Sequence, residues 1–247
     1  MKQDVASATA AWSPALSPDG MHVAYCSDRD GAPHVWLHDR RRGTEHRLDS
    51  SPEPVERVQW SIDGEWLALL LAPHGSPRTQ VWVVRGDGTG LRELAGSAHG
   101  AAYLGPWTHE PGWLAVAETA PGNGALIARL EQARTCETRR IASGGQPIVL
   151  DLDRHNRVAL VRRGPRCARS VWAIELASGK ERELLSNAGV GSTDLGRLCP
   201  DVRAAYLRSN AGREMHALFE VPLEAGAPAR ILAERTDADL EHIALTA

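Results

Sequence analysis

The chain has 247 residues, of which 28 are Lys or Arg and 31 are Asp or Glu, so its formal net charge is -3. This balance argues against a protein that mainly neutralises phosphates, and we expect no nucleic acid among its partners. Residues 1–7 lack the apolar region of a signal peptide, and no run approaches the roughly 18 apolar residues of a membrane helix. We therefore expect a soluble, cytoplasmic protein with no membrane partner.

A short turn sequence appears twice near the start of the chain. Ser17-Pro18-Asp19-Gly20 is followed 44 positions later by Ser61-Ile62-Asp63-Gly64, and a short apolar run follows each. An acidic turn residue recurs at steps of 44, 47, 43 and 48, at Asp19, Asp63, Glu110, Asp153 and Asp201. A second series recurs at steps of 46, 45, 45 and 46, at Trp36, Trp82, Ile127, Trp172 and Leu218. A fixed period of about 40 to 50 residues is typical of propeller blades.

Each repeat is predicted to be a meander of four antiparallel strands. In the first repeat the strands cover residues 12–16, 22–27, 34–39 and 45–48. The Pro-Asp-Gly segment between the first two strands combines a preset φ, a carboxylate that bonds nearby N–H groups and a glycine free to take positive φ. This combination predicts a hairpin turn.

The second and third strands of each repeat carry the apolar residues. Segments such as 67–71, Leu-Ala-Leu-Leu-Leu, are continuously apolar, as expected of an inner strand covered on both faces. The third strand places a tryptophan at one fixed position in three of the five repeats, Trp36, Trp82 and Trp172. We predict that these indoles fill the gaps between blades.

The repeats together predict an all-β fold, a β-propeller of four-stranded antiparallel blades with five full repeats and the first strand of a sixth. We expect one domain over residues 1–247. The predicted blades are 12–48, 57–94, 101–141, 147–185 and 193–232, with a partial blade at 238–247.

The pattern of turn, apolar strand and Val35-Trp36-Leu37-His38-Asp39 resembles the propeller repeat of TolB-like proteins. The same repeat builds the N-terminal propeller of prolyl oligopeptidase-type serine peptidases. The resemblance covers nearly the whole chain from about residue 12. The third and fifth repeats, at 108–112 and 199–203, keep only part of the turn sequence.

A propeller must close on itself or leave sheet edges unpaired, and here five full repeats are followed by residues 240–246, which look like the first strand of a sixth repeat. An open sheet edge invites pairing with another chain. Three explanations stay open: a C-terminal hydrolase domain follows in a longer polypeptide, a second chain completes the ring, or residues 4–8 pair back. The resemblance to peptidases favours the first.

The sequence contains none of the common catalytic or cofactor-binding motifs. G-x-S-x-G, which marks the nucleophile of an α/β-hydrolase, does not occur, nor do the P-loop and H-E-x-x-H motifs. The four cysteines show no C-x-x-C pair and are interpreted as unpaired thiols: Cys26, Cys136, Cys167 and Cys199. We expect no catalytic residue, cofactor or metal in this chain.

Arginines concentrate in the predicted loops between the second and third strands. Guanidinium groups bind carboxylates and phosphates through paired hydrogen bonds, so these loops predict a basic face for an acidic partner or peptide. The candidate binding residues are Arg78, Arg162, Arg163, Arg166, Arg169, Arg208 and Arg213, with Arg29 in the first repeat. A solvated face is the competing interpretation, because Asp28, Asp30, Glu118 and Glu214 lie in the same loops.

Two main functions follow from the sequence. By resemblance, the chain is the non-catalytic propeller of a prolyl oligopeptidase-like hydrolase, which gates access and positions peptide substrates. Alternatively, it is a stand-alone TolB-like module that binds a protein or small molecule. A third function, an enzyme with its own pocket, requires convergent polar groups and a titratable residue with a shifted pKa.

Overall fold

A computed structural model describes residues 9–49, 51, 53–96, 100–120, 124–186 and 191–245. The contacts divide the chain into two compact units, which we call unit 1 (residues 1–104) and unit 2 (residues 105–247). The expected single domain stays a prediction. The predicted pairing of residues 4–8 lies outside the described residues.

The described residues form five sheets, each a meander of four antiparallel strands. Unit 1 contains sheet 1, with β1 (Ala11–Leu16), β2 (His22–Ser27), β3 (His34–Asp39) and β4 (Thr44–Arg47), and sheet 2, with β5 (Val55–Trp60), β6 (Trp66–Leu71), β7 (Gln80–Arg85) and β8 (Arg92–Ala95). A 3₁₀ turn covers Pro73–Gly75. Within the described part of the chain, no helix has the length and apolar character needed to cross a membrane.

Unit 2 contains most of sheet 3 and all of sheets 4 and 5. Sheet 3 has β9 (Ala102–Trp107), β10 (Trp113–Thr119), β11 (Leu126–Gln132) and β12 (Thr138–Ser143); sheet 4 has β13 (Ile148–Leu152), β14 (Val158–Arg163), β15 (Ser170–Glu175) and β16 (Glu181–Glu183); sheet 5 has β17 (Thr193–Leu198), β18 (Ala204–Ser209), β19 (Ala217–Pro222) and β20 (Arg230–Ala233). Every predicted blade begins and ends within two residues of the strands of its sheet. The all-β propeller of five four-stranded blades is confirmed.

The core of unit 1 lies between its two sheets, as the apolar second strands predict. Leu67, Leu69 and Leu71 of β6 are fully buried against Val35 and Leu37 of β3. Burying such side chains stabilises the fold by about 1.5–3 kcal/mol each.

The three tryptophans at the repeated position of the third strand lie in different surroundings. Trp82 packs against the core between sheets 1 and 2, as predicted. Trp172 pairs with Val161, whose side chain packs against residues of sheet 3. Trp36 points from the face of sheet 1 that lies opposite to the buried Val35 and Leu37, where the Arg29 guanidinium stacks 3.9 Å from its ring centroid.

One backbone hydrogen bond links successive repeats. The N–H of the residue at the start of a first strand donates to the carbonyl that precedes the third strand of the previous repeat. It occurs at Val55 to Pro33, Ala102 to Thr79, Thr193 to Arg169 and Leu240 to His216. Leu240 therefore occupies the start of a sixth repeat, although residues 234–245 form no strand.

Candidate functional site

Each hairpin between the first and second strands of unit 1 is closed by a serine and an aspartate. The Ser17 hydroxyl donates to Asp19 Oδ1 at 2.5 Å and accepts the backbone N–H of His22 at 2.8 Å. The backbone N–H of Met21 donates to the same Asp19 oxygen at 2.9 Å, and Gly20 takes a φ of +70°. The Ser17 hydroxyl, followed by the Met21 N–H, lowers the pKa of Asp19. The predicted turn is confirmed.

The hairpin of sheet 2 repeats this arrangement. The Ser61 hydroxyl donates to Asp63 at 2.5 Å and accepts the N–H of Trp66 at 2.9 Å. The N–H of Glu65 donates to Asp63 at 3.0 Å, and Gly64 takes a φ of +72°. Two identical turns thus close the two hairpins of unit 1.

The corresponding turn of sheet 4 in unit 2 is built differently. The backbone N–H of Asp153 donates to the carbonyl of Val158, as the serine N–H does in unit 1, so Asp153 occupies the serine position. Asp153 Oδ1 accepts the backbone N–H groups of Arg157 at 2.5 Å and of Val158 at 2.7 Å. The assignment of Asp153 as the turn acid is therefore wrong by two residues, and His155 stands at that position.

The other two turns of unit 2 also depart from the serine and glycine pattern. Thr108 and Cys199 occupy the serine position in sheets 3 and 5, because their N–H groups donate to Trp113 and Ala204. The corrected positions 17, 61, 108, 153 and 199 are separated by regular steps of 44, 47, 45 and 46. The register error at Asp153 arose because an acid is present two residues before the expected position.

The turns of sheets 4 and 5 in unit 2 also lack the glycine that takes positive φ in unit 1, whereas the turn of sheet 3 has Gly112, at a φ of +71°, one residue after that position. Asn156 and Val202 stand at the positions of Gly20 and Gly64, with φ of +51° and +59°. Asparagine tolerates this conformation, but a β-branched residue at positive φ is a genuine outlier. Such backbone strain, about 1–3 kcal/mol, is often found at functional sites.

These altered turns surround a cavity of about 620 Å³ in unit 2. The cavity lies where the first strands of sheets 3, 4 and 5 end. Its polar lining residues are His109, Asp151, Asp153, Arg154, His155, Arg197 and Cys199, and its apolar lining residues are Leu152, Leu198, Pro200, Val202 and Leu245. The volume is within the range of about 300–1,000 Å³ that is typical of ligand pockets.

Asp151 and Arg197 lie next to each other in this cavity because β13 and β17 run side by side. The Leu198 N–H donates to Asp151 Oδ2 at 2.8 Å, and the Arg197 Nη1 donates to the Leu150 carbonyl at 2.7 Å. Burial raises the pKa of the Asp151 carboxyl, against the lowering effects of the Leu198 N–H and of the Arg197 charge. The half-buried carboxyl of Asp151 and the guanidinium group of Arg197, which one hydrogen bond holds in place, therefore share one wall of the cavity.

Asp153 contributes little free charge to the cavity. Its side chain is fully buried and lies 3.2 Å from the Arg157 Nε, so both the turn N–H groups and a guanidinium compensate it. Burial acts to raise the pKa of Asp153, but the N–H groups of Val158 and Arg157 outweigh it and hold the pKa below its ordinary value.

Three of the remaining polar side chains of the cavity carry N–H donors. His109, Arg154 and His155 are exposed, and within the described residues their side chains make no hydrogen bond. The cavity therefore presents more unused donors than acceptors.

Most of the predicted basic loop residues are engaged within unit 2. Arg163 donates to both Glu181 oxygens at 2.6 and 2.7 Å, and Arg208 donates to both Asp194 oxygens at 3.0 and 2.9 Å. Arg162 and Arg163 end β14, and Arg208 lies in β18, so these three are strand residues rather than loop residues.

The other arginines divide between paired and exposed positions. Arg169 Nη1 lies 3.9 Å from Asp194, and the Arg162 Nη1 donates to the Asp194 carbonyl at 3.4 Å. Arg213 pairs with Glu234. Arg78 and Arg166 are exposed. Carboxylates thus compensate much of the positive charge of the predicted basic face. Binding of an acidic partner at this face stays a prediction.

Unit 1 has a cavity of about 670 Å³ at its own turns, lined by Asp19, Asp63 and Asp87. Each of these carboxylates already accepts two hydrogen bonds that close its own turn. Because the acids of this cavity have a structural role, we place the candidate functional site in unit 2.

The residues of the cavity were not singled out from the sequence. Asp151 and Arg197 lie 46 positions apart on two first strands, and no motif joins them. The sequence signal that points to the cavity is the altered turn sequence of the third and fifth repeats. In the structure those turns line the cavity.

Comparisons with known proteins were made on sequence and on structure. The chain matches no family model. An uncharacterised protein of Agrobacterium fabrum is 31% identical over 90 residues, which cover 36% of this chain and only 30% of that protein.

Solved structures with the same fold have low sequence identity. A putative TolB from Agrobacterium tumefaciens matches with a TM-score of 0.66 at 11% sequence identity, and the match covers 91% of this chain and 80% of the TolB chain. Oligogalacturonate lyase from Vibrio parahaemolyticus has a TM-score of 0.67 at 14% identity, covering 90% and 64%. Acylaminoacyl peptidase from Pyrococcus horikoshii has a TM-score of 0.63 at 13% identity, covering 93% and 40%. The chain therefore has the β-propeller fold shared by TolB and by the propeller domains of prolyl oligopeptidase-type peptidases.

Proposed function

We propose that this protein is a non-catalytic propeller that binds a peptide in the cavity of unit 2 and positions it for a hydrolase domain. The observation that carries the proposal is the cavity itself, which lies at three consecutive altered turns and combines apolar walls with unused donors. The hydrolase domain is carried by the same polypeptide or by a separate chain, since this sequence lacks a G-x-S-x-G nucleophile motif. In this role the propeller gates access to the hydrolase.

The lining of the cavity supports a peptide rather than a polyanion. Its formal charges are mixed, with Asp151 and Asp153 opposite Arg154 and Arg197. A polyanion requires a predominantly cationic surface, whereas a peptide offers one terminal charge, backbone amides and apolar side chains.

Affinity selection from a pooled hexapeptide library tests peptide binding. The wild-type protein is expected to retain a subset of peptides. His155→Trp, which places an indole at an exposed position of the cavity wall, is expected to retain far fewer. Ala177→Trp adds the same side chain to an exposed turn of sheet 4 that does not line the cavity, and is expected to behave as the wild type. The proposal is contradicted if the wild-type protein retains no peptides, or if His155→Trp retains as many peptides as the wild type.

A stand-alone binding module is the second candidate function. The chain covers 80% of the TolB structure but only 40% of the acylaminoacyl peptidase structure. The intact mass of the natural gene product and the chains that co-purify with it separate the two. A product much heavier than 26.7 kDa that cleaves peptides, or a product of 26.7 kDa that co-purifies with a peptide-cleaving chain, supports the hydrolase role. A product of 26.7 kDa without such a chain supports the module.

A cytoplasmic location belongs to the same proposal. All four cysteines are free thiols, and burial raises the pKa of Cys26 to about 12, so this thiol does not react readily. Immunoblotting of fractionated native cells tests the location, and recovery of the protein in an extracytoplasmic fraction contradicts it.

A further inference from the structure

We infer that the cavity of unit 2 recognises the C-terminal carboxylate of a peptide, with Arg197 as the group that binds it. This inference rests on the proposed peptide-binding function and names the part of the peptide that the cavity takes. Three features of the cavity support it: the charge, the free hydrogen-bonding capacity and the apolar walls around Arg197.

Charge around the cavity favours an anionic group. The Asp153 carboxylate is compensated by Arg157 at 3.2 Å and by backbone N–H groups. Arg154 and Arg197 then face one carboxyl, Asp151, one oxygen of which accepts the Leu198 N–H. One positive charge is in excess, and the exposed imidazoles of His109 and His155 add donors.

Arg197 is placed to bind a carboxylate through two nitrogens. Its Nη1 donates to the Leu150 carbonyl at 2.7 Å, which fixes the direction of the guanidinium group. Within the described residues its Nε and Nη2 make no hydrogen bond. A guanidinium with a fixed position and unused N–H groups suits the planar geometry of a carboxylate, and less of its side-chain freedom is lost on binding.

The walls next to Arg197 suit an apolar C-terminal residue. Leu198 follows Arg197 in β17, and Val202 and Leu245 line the same cavity. The side chain of Val202 lines this wall although its backbone is strained at positive φ. The equivalent position in unit 1 is occupied by glycine. The cavity therefore combines a carboxylate-binding group with an apolar surface.

The test compares one labelled peptide in two chemical forms. Fluorescein-Gly-Gly-Ala-Leu is titrated by fluorescence anisotropy as the free acid and as the C-terminal amide. The wild-type protein is expected to bind the acid at least about tenfold more tightly than the amide, since charge-assisted hydrogen bonds are lost with the amide. Arg197→Ala is expected to bind the two forms equally.

Two further variants protect the test against loss of folding. Arg197→Lys keeps the positive charge but not the paired nitrogens, and is expected to retain only part of the preference for the acid. Arg41→Ala removes an exposed arginine of unit 1 that belongs neither to the cavity nor to the predicted basic face, and is the matched control, with the preference unchanged. Each variant is first checked for an unaltered thermal unfolding transition.

The outcomes distinguish this inference from the proposed function. Equal binding of the acid and the amide by the wild type, with binding still reduced by His155→Trp, overturns the carboxylate inference and leaves peptide binding standing. Failure of the hexapeptide selection overturns the proposed function. Competition by glucuronate that is stronger than competition by the unlabelled free-acid peptide assigns the carboxylate to a sugar acid and overturns the peptide assignment.

Discussion

The same hairpin turn is conserved in unit 1 and altered in unit 2. In unit 1, Ser17 and Ser61 close their turns with an aspartate partner and a following glycine. In unit 2 the serine position holds Thr108, Asp153 and Cys199. Turns that only connect strands can keep the simplest chemistry, whereas departures from a local rule are expected at functional or strained sites. The altered turns line the cavity in which we place ligand binding.

The largest expected effect concerns the packing that the turns hold in place. Trp82→Ala removes an indole that packs between sheets 1 and 2 and donates to Gln80 at 3.0 Å. Loss of this side chain is expected to lower the free energy of unfolding by about 3–5 kcal/mol. Leu16→Ala, at a side chain that is 56% exposed, is the control with little effect. Equal denaturation midpoints for the two variants contradict the assigned packing.

The next effect tests the replacement of serine by Asp153 in unit 2. Asp153→Ala leaves the N–H groups of Arg157 and Val158 without an acceptor and is expected to cost about 2–4 kcal/mol. The folded-state pKa of Asp153 is lowered, so its stabilisation is complete above the ordinary value of about 3.9 and is lost as the pH falls through the lower value. Urea unfolding between pH 7 and pH 2 should show a weaker acid dependence in the variant than in the wild type.

A smaller effect compares the positive-φ position in the two units. Gly64→Val introduces a β-branched residue at a φ of +72° and is expected to cost about 1–3 kcal/mol. Val202→Gly relieves the strain but increases the freedom of the unfolded chain, so its stability is expected to stay within about 1 kcal/mol of the wild type. The same variant should weaken peptide binding, because an apolar wall is lost. A cost for Val202→Gly as large as that for Gly64→Val contradicts the strain assignment.

The smallest effect concerns Asp151. Because burial raises its folded-state pKa, ionisation at neutral pH opposes folding, and Asp151→Asn is expected to raise the unfolding temperature. The rise should be below about 4 °C, the shift that 1 kcal/mol produces in a protein of this size. It should vanish below about pH 4, where the carboxyl is protonated in both the folded and the unfolded chain. Asp153→Asn, two residues away, is expected to lower stability at neutral pH instead.

The strand order and the blade boundaries could be predicted from the sequence because their causes are local. Alternating apolar strands and turn residues recur with a fixed period, and each hairpin joins neighbours in the chain. The turn at Ser17 was identified correctly because its hydrogen bonds are made within five residues. At Asp153 the same reasoning failed, because one acid can close a turn from either of two positions.

The position of the candidate site and the pairing of the arginines with carboxylates depended on the tertiary structure. Asp151 approaches Arg197 only because two strands from successive repeats lie side by side, and no local pattern encodes that approach. Arg163 meets Glu181 across 18 residues of the chain, which removes much of the charge that the sequence assigned to a binding face. The sequence alone determined the repeat, its turns and its apolar strands, since these depend on near neighbours. Which charges are compensated and which donors face a cavity was decided only when distant strands came together, because electrostatic and hydrogen-bond interactions depend on distance in space.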